Sequence, residues 1–400
     1  MPKISHIEID VLKFPVKIGL IWGEEKWTNH LLVRLYADDN LLGIGSGTPY
    51  LTDICNSYSL CKKIARKIVG TDLFKAKERL PQIQRNFSRK TLFDYGPFLA
   101  VETAIIDAIS KSNEVSFFKI LGGSFRNRIP VSGTVFLDSP QNMAEVAKKW
   151  VSKGVMHLKV KVTCKSEVDS VNLKYIRNVV PNNVLIRIDA NQGYKTTERA
   201  ATALRKLEKY KVAIVEQPIK WNDLSGLRKL RKLVAPKIMV DESLRKPSDV
   251  ELIAEKEAAD IINFHPSKLG CLTVTRQAIK RTMDLGLKYM IGSAVMTGIG
   301  VAEHLHLAAS LKRLDYPNEE IGLYEMFGKD VITNPLKIAK GCIKVPKKYG
   351  IGVNIDEKRL RKYSINLVSS KVLFNRVALW AYLKSPSFVK NLVLKAKRSI

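Results

Sequence analysis

Five charged side chains recur at nearly even intervals through the middle of this 400-residue chain. Lys161 lies in Leu158-Lys-Val-Lys-Val162, Asp189 in Leu185-Ile-Arg-Ile-Asp-Ala-Asn191, and Glu216 in Val212-Ala-Ile-Val-Glu-Gln-Pro218. Asp241 lies in Lys237-Ile-Met-Val-Asp-Glu-Ser243, and Lys268 closes the series in Ile261-Ile-Asn-Phe-His-Pro-Ser-Lys-Leu-Gly270. The spacings are 28, 27, 25 and 27 residues. Each group sits at, near or just past the end of a short apolar run. Three carboxylates gathered in one pocket repel one another unless a cation compensates them. Hard oxygen donors favour magnesium, with manganese as a substitute, over zinc.

The interval identifies the elements that must carry these groups. A strand of about five residues, a helix of about twelve and two short loops make one βα unit of this length. Repeated units with apolar strands imply a parallel sheet covered by helices, and closure into a barrel turns every strand tip toward one cavity. The patterning places strands near 130–137, 156–162, 184–189, 212–216, 237–241, 260–264 and 287–292, with an eighth near 320–326. Helical spacing falls near 140–153, 168–180, 196–210, 223–234, 247–257, 271–285 and 298–312, with Asp223 and Ser248 as N-caps. Ahead of the barrel, strands are expected at 3–12 and 31–36 and helices at 55–70, 73–88 and 97–112. Between those two strands, Lys17 to Trp27, with Gly19, Gly23 and two tryptophans, reads as a loop suited to covering a pocket.

Composition narrows the setting. The five cysteines (Cys55, Cys61, Cys164, Cys271, Cys342) form no CxxC pair, which argues against a zinc finger or disulfide framework. Met1-Pro-Lys-Ile-Ser-His has no signal-peptide core and no apolar run approaches the roughly 20 residues of a membrane span, so a cytoplasmic location is expected. The net charge of +29 points to anionic partners, yet the basic residues lack aromatic interleaving, and no specific nucleic-acid binding is expected. After Glu357 the chain has eleven Lys or Arg and no acid. That tail reads as an amphipathic helix packed on its own protein or on a second copy, in preference to a membrane surface.

Taken in order, these motifs resemble the enolase superfamily, specifically the Lys-x-Lys muconate lactonizing enzyme subgroup of the mandelate racemase/muconate lactonizing enzyme family. The resemblance also draws on Gly43-Ile-Gly45, Thr48-Pro49, the helix bearing Glu102, Ala104 and Asp107, Leu121-Gly-Gly123 and Gly350-Ile-Gly-Val353. It implies an α/β fold, a modified (β/α)7β TIM-like barrel with an α+β cap. By that resemblance residues 1–125 are the cap, 126–326 the barrel, 327–360 a return to the cap and 361–400 the basic tail. It implies that Asp189, Glu216 and Asp241 ligate magnesium, and that Lys161 and Lys268 stand on opposite faces of the substrate as acid and base. Lys159 and Asn191 are read as substrate contacts, with Lys159 tuning Lys161 and Glu242 supporting the metal shell.

The implied reaction is removal of the α-proton of a small carboxylate through an enediolate. Racemisation, epimerisation or cycloisomerisation would follow, with lyase chemistry on the same intermediate as the alternative. The competing class is a non-catalytic scaffold acting through its tail. A homo-oligomer is expected from the resemblance. Some positions depart from the pattern: Met296 stands where many relatives carry glutamate, Ser46 replaces an acid, and Glu320-Ile-Gly-Leu-Tyr-Glu325 lacks an Asp-x-Asp. His265 reads as a structural loop residue, and His304 and His306, two apart on a helix, do not form a metal pair.

Overall fold

The computed structural model describes residues 2–50, 53–88 and 90–365. Alternating apolar residues build β1 (Ile4–Leu20) and β2 (Gly23–Ala37), which pair antiparallel with Ile7 opposite Leu35, Ile9 opposite Val33 and Val11 opposite Leu31. The expected loop from 17 to 27 is instead the far half of this hairpin, paired out to Leu20 and Gly23. The alternation simply continues: Phe14, Val16, Ile18 and Leu20 are buried in phase with Leu12. Gly23, at φ 127, closes the turn. The hairpin tip leans on the barrel mouth, where the Leu137 N–H donates to the Gly19 carbonyl at 3.0 Å.

Next come β3 (Leu41–Gly47), α1 (Ile54–Ile68), α2 (Leu73–Arg85) and α3 (Gly96–Ser112). Asp53 and Asp72 cap α1 and α2 by accepting backbone N–H groups from Cys55, and from Phe74 and Lys75. α3 is buried from Gly96 to Ser110 because β3 offers it a face of glycines. A Cβ on Gly45 would stand 2.0 Å from the Ala100 carbonyl oxygen and 2.7 Å from the Ala104 nitrogen. Strand and helix backbones touch there, and neither can yield. Gly45→Ala will therefore cost about 3 kcal/mol of stability, read as a lower denaturant midpoint at unchanged slope. A shift within the error of that measurement would mean that the two elements are not in close contact.

After α4 (Phe117–Ile120) the barrel begins with β4 (Arg128–Val135) and α5 (Pro140–Ser152). It continues with β5 (His157–Lys161), α6 (Ser166–Val179), β6 (Leu185–Asp189), α7 (Thr197–Leu207), β7 (Val212–Glu216), α8 (Leu224–Leu233), β8 (Lys237–Val240) and α9 (Asp249–Glu255). Then follow β9 (Ile261–Phe264), the short α10 (Pro266–Leu269), α11 (Leu272–Asp284), β10 (Lys288–Ile291) and α12 (Gly298–Ala309). All strands from β4 to β10 run parallel in sequence order. The eighth strand is β11 (Asn318–Glu319), parallel to β4 and packed beside β10, which closes a (β/α)7β ring.

That strand lies earlier than expected, and 323–327 is the helix α13 (Leu323–Phe327). The apolar residues after Glu320 attracted the strand reading, whereas the pairing backbone belongs to the buried polar pair Asn318 and Glu319. Asp223 caps α8 through the Gly226 N–H, but Ser248 makes no such bond; Asp249 accepts from Arg245 and Lys246 instead. Near the end, β12 (Ile338–Ala339) pairs with β13 (Cys342–Lys344), which pairs with β4. From Gly350 the chain joins the first elements, ending in α14 (Glu357–Tyr363) and β14 (Ser364–Ile365), which adds to β1. The expected basic tail from 366 onward lies outside the described residues.

Candidate active site

β5, β6 and β7 end on Lys161, Asp189 and Glu216. Parallel register sets them side by side, Lys161 opposite Asp189 and Asp189 opposite Glu216. Asp241 follows β8 by one residue, and Lys268 lies in α10 just past β9. Around the eight-stranded ring, β5 and β9 are four strands apart, half-way round, and β6, β7 and β8 fill the arc between them. The strands that carry the two amines thus stand half-way round the ring from each other, with the three acid-bearing strands on the arc between, and Lys161, Asp189 and Asp241 line the cavity. All five side chains are buried.

The contacts are dense. Lys161 Nζ donates to Asp189 Oδ2 and Asn191 Oδ1, both at 2.7 Å. Asn191 follows the strand at φ 40 and passes its amide on to Glu242 Oε1 at 3.1 Å. Lys268 Nζ bonds the Asp241 carbonyl at 2.6 Å and the Asp241 carboxylate. Gln217 Oε1 accepts the Asp241 N–H at 2.9 Å, so the glutamine of the Glu-Gln-Pro motif fixes where Asp241 emerges.

Lys159 sits deeper than Lys161, within 2.9 Å of Asp189 Oδ2, 3.2 Å of Glu216 Oε1 and 3.1 Å of Glu319 Oε1. Arg187 spans Glu216, at 3.0 Å, and Glu319. Four cations therefore meet four carboxylates in one water-poor volume.

Ionisation follows from that crowding. Burial opposes the charge on Lys159, but its three carboxylates outweigh it and hold the pKa well above the ordinary lysine value. Burial would raise Asp189, yet Lys159 and Lys161 pull it far below the usual carboxylate range. Asp241 likewise falls to about 2 despite burial, through His265 and Lys268. Burial wins at Glu216, pushed up to about 7 although Arg187 is near, and at Glu242, pushed up to about 8 by burial and by Asp241. Lys159 therefore stays charged beside Lys161, with carboxylates on several sides of it.

Glu216, Asp241 and His265 each offer one ligand atom, and the three atoms lie within 4.8 Å of one another. His265, read from the sequence as a loop residue, is thus part of the site, with Nε2 3.5 Å from Asp241 Oδ1. Asp189 stands outside that trio and is joined to it through Lys159. Glu216 Oε2 is fully buried and accepts no hydrogen bond, despite the Arg187 guanidinium 3.0 Å away. A buried carboxylate oxygen with an unused lone pair, beside a second acid, is an arrangement that a divalent cation fits. His304 and His306 diverge, toward Glu320 and the Ile351 carbonyl respectively.

Residues 142–359 match the enolase C-terminal domain-like family. The chain belongs to this family. An L-Ala-D/L-Glu epimerase of Clostridium acetobutylicum is 30% identical over 314 residues, 77% of this chain and 85% of the relative. An N-succinyl-L-Arg/Lys racemase of Bacillus cereus is 23% identical over 380 residues, 91% of this chain and 98% of the relative. The crystal structure of a substrate-liganded L-Ala-D/L-Glu epimerase from Bacillus subtilis superposes with a TM-score of 0.80 at 26% identity, covering 88% of this chain and 98% of that one. A muconate cycloisomerase and an o-succinylbenzoate synthase stand among the same relatives. The mandelate racemase/muconate lactonizing enzyme resemblance therefore holds, and this enolase-type barrel is an isomerase by kinship, with lyase chemistry within the family's range. Divalent metal binding is a family trait. Among the described residues, no helix is long and apolar enough to cross a membrane.

Three members of the cluster escaped the sequence reading. Arg187 is in phase with Asp189 along β6, and that period of two was the available signal. Asn263, whose amide donates to Glu216 Oε1 at 2.8 Å, bears the same relation to His265. Glu319 had no usable signal, because it lies before the expected strand.

Proposed function

We propose that this chain removes the α-proton of a small carboxylate substrate and returns it to either face, as a magnesium-dependent racemase or epimerase. In this reading Asp189, Glu216 and Asp241 hold the metal, Lys161 and Lys268 are acid and base, and Lys159 and Asn191 meet the substrate. The observation that carries it is the half-turn of the barrel between Lys161 and Lys268, with the acids on the intervening arc. A planar carbanion placed between two amines can be protonated from either side.

The chain's own groups account for most of the chemistry. An amine must lose its proton before it can act as a base. With one lysine neutral, Lys159, Arg187 and the other lysine supply three positive charges against four carboxylates. A dication and a monoanionic substrate then bring the cavity to neutrality, and proton transfer only moves charge within it. Bound between the acids, magnesium would stabilise the second negative charge that develops on the substrate carboxylate. Lys159, kept charged by its neighbours, is placed to meet that carboxylate, and Asn191 holds Lys161 at its strand tip. The hairpin tip and Tyr50 screen the cavity from water. We place the enzyme in the cytoplasm, in keeping with five free cysteines.

A library of N-acylated amino acids, dipeptides and other carboxylates, incubated with magnesium in deuterated water and followed by NMR, tests the reading. The expected result is deuterium at Cα of at least one member, with both stereoisomers appearing. New alkene signals in place of isotope exchange would select the lyase alternative. Exchange with no member would defeat the proposal.

A further inference from the structure

The chemistry at the strand tips makes no use of the wall above them. That wall is built by Ile18, Leu20 and Trp22 from the hairpin, with Tyr50, Phe93 and Phe136 around them, over about 630 Å³ of space free of protein atoms. Tyr50 and Phe93 meet edge to face at 5.4 Å. Among the described residues lining the cavity, the basic ones are Lys159, Lys161 and His265, and all three belong to the floor.

One carboxylate stands behind this aromatic wall. Glu25, opposite Ile18 in the hairpin register, accepts hydrogen bonds from Trp22 Nε1 and Tyr50 OH, both at 3.3 Å and both on Oε1. These are long bonds from neutral donors. No described side chain donates to Oε2, and no described Lys or Arg forms an ion pair with Glu25. Both of its donors, Trp22 and Tyr50, line the cavity above Lys161, so the carboxylate lies directly behind that wall. Burial raises its carboxyl above the ordinary value. A half-buried acid of this kind is costly unless a ligand completes it. An acid flanked by tryptophan and tyrosine rings is the chemistry that recognises an ammonium or guanidinium, by charge-assisted hydrogen bonds and by cation–π contact. The apolar residues between floor and rim suit the hydrocarbon stem of such a group.

We propose that Glu25, with Trp22 and Tyr50, is a specificity site for an α-substituent made of an apolar stem ending in a cation, as in a lysine or arginine derivative. This rests on the α-proton reading for the substrate's orientation, but its failure is separable. A distal carboxylate would meet Glu25 with no basic partner among the described residues of the wall.

The test uses alanyl and Nα-acetyl derivatives of lysine, norleucine and glutamate, with magnesium, on the full chain and on Glu25→Gln and Glu25→Asp. Cα deuteration gives kcat and KM, and calorimetry gives binding. The lysine forms should exceed the norleucine forms about tenfold in kcat/KM, through KM, and the glutamate forms by more. Glu25→Gln should collapse the lysine-to-norleucine ratio, and Glu25→Asp should restore part of it. Equal use of lysine and norleucine forms by the wild type, or an unchanged ratio in Glu25→Gln, overturns the proposal. If none of these compounds is turned over, calorimetry decides: tighter binding of the lysine form that Glu25→Gln abolishes supports the site, and equal or absent binding overturns it. The α-proton reading itself falls only if the wider library also shows no exchange.

Discussion

Lys161→Met and Lys268→Met will each abolish interconversion of stereoisomers, by about 10³-fold or more, while each keeps isotope exchange with one enantiomer. The reason lies in the ring. In the proposed reading, a lysine on β5 and a lysine past β9, half-way round the ring, approach the α-carbon from opposite sides, so each would face the proton of one hand only. With one amine gone, the survivor still removes and returns the proton on its own face, and solvent deuterium enters with retention. Methionine keeps the length of the side chain and removes the proton carrier. In Lys161→Met the charge on Asp189 stays covered, because Asp189 retains Lys159 at 2.9 Å. Chiral chromatography of each enantiomer after incubation in deuterated water reads the result. If both variants lose exchange with the same enantiomer, one lysine is merely structural and the two-base assignment is wrong.

The strand tips were legible because a barrel imposes a repeat. Charged residues closing apolar runs at 25 to 28 residues follow the length of a βα unit, and the register then places Lys161, Asp189 and Glu216 abreast. Lys268 kept the interval although its own local structure, a single helical turn entered through Pro266, was not foreseen. What stayed hidden has tertiary causes. Gly19 and Gly23 look like loop residues until the barrel mouth is there for the hairpin to lean on. Arg187 is tolerable in an apolar strand only because Glu216 and Glu319 lie within reach, and Glu319 comes from a strand 132 residues away. The same distance hides the charge state of Lys159. Its neighbour in sequence is Lys161, but its neighbours in space are three carboxylates.

Glu216→Gln will remove the response to magnesium, and Glu319→Gln will not. Both substitutions delete one negative charge from the same cluster, and both residues touch Lys159 and Arg187. They differ in position. Glu216 lies with Asp241 and His265 on the arc of the acids and carries a buried oxygen that accepts no hydrogen bond. Glu319 lies four strands further round, and Arg187 and Lys159 each take one of its oxygens. A glutamine at 216 would turn its amide toward either Lys159 or Arg187 and withdraw a hard anionic donor from the metal. In the wild type, a cation that binds only the folded state raises stability by about 2.7 kcal/mol at a hundredfold excess over Kd. A thermal-unfolding series in magnesium should therefore show a concentration-dependent rise in Tm, reversed by chelator, for the wild type and for Glu319→Gln. Glu216→Gln should be flat, with isotope exchange about 10³-fold down. Equal loss of the magnesium response in the two variants would mean that the cluster responds to net charge alone, and the arc of acids would no longer define a metal site.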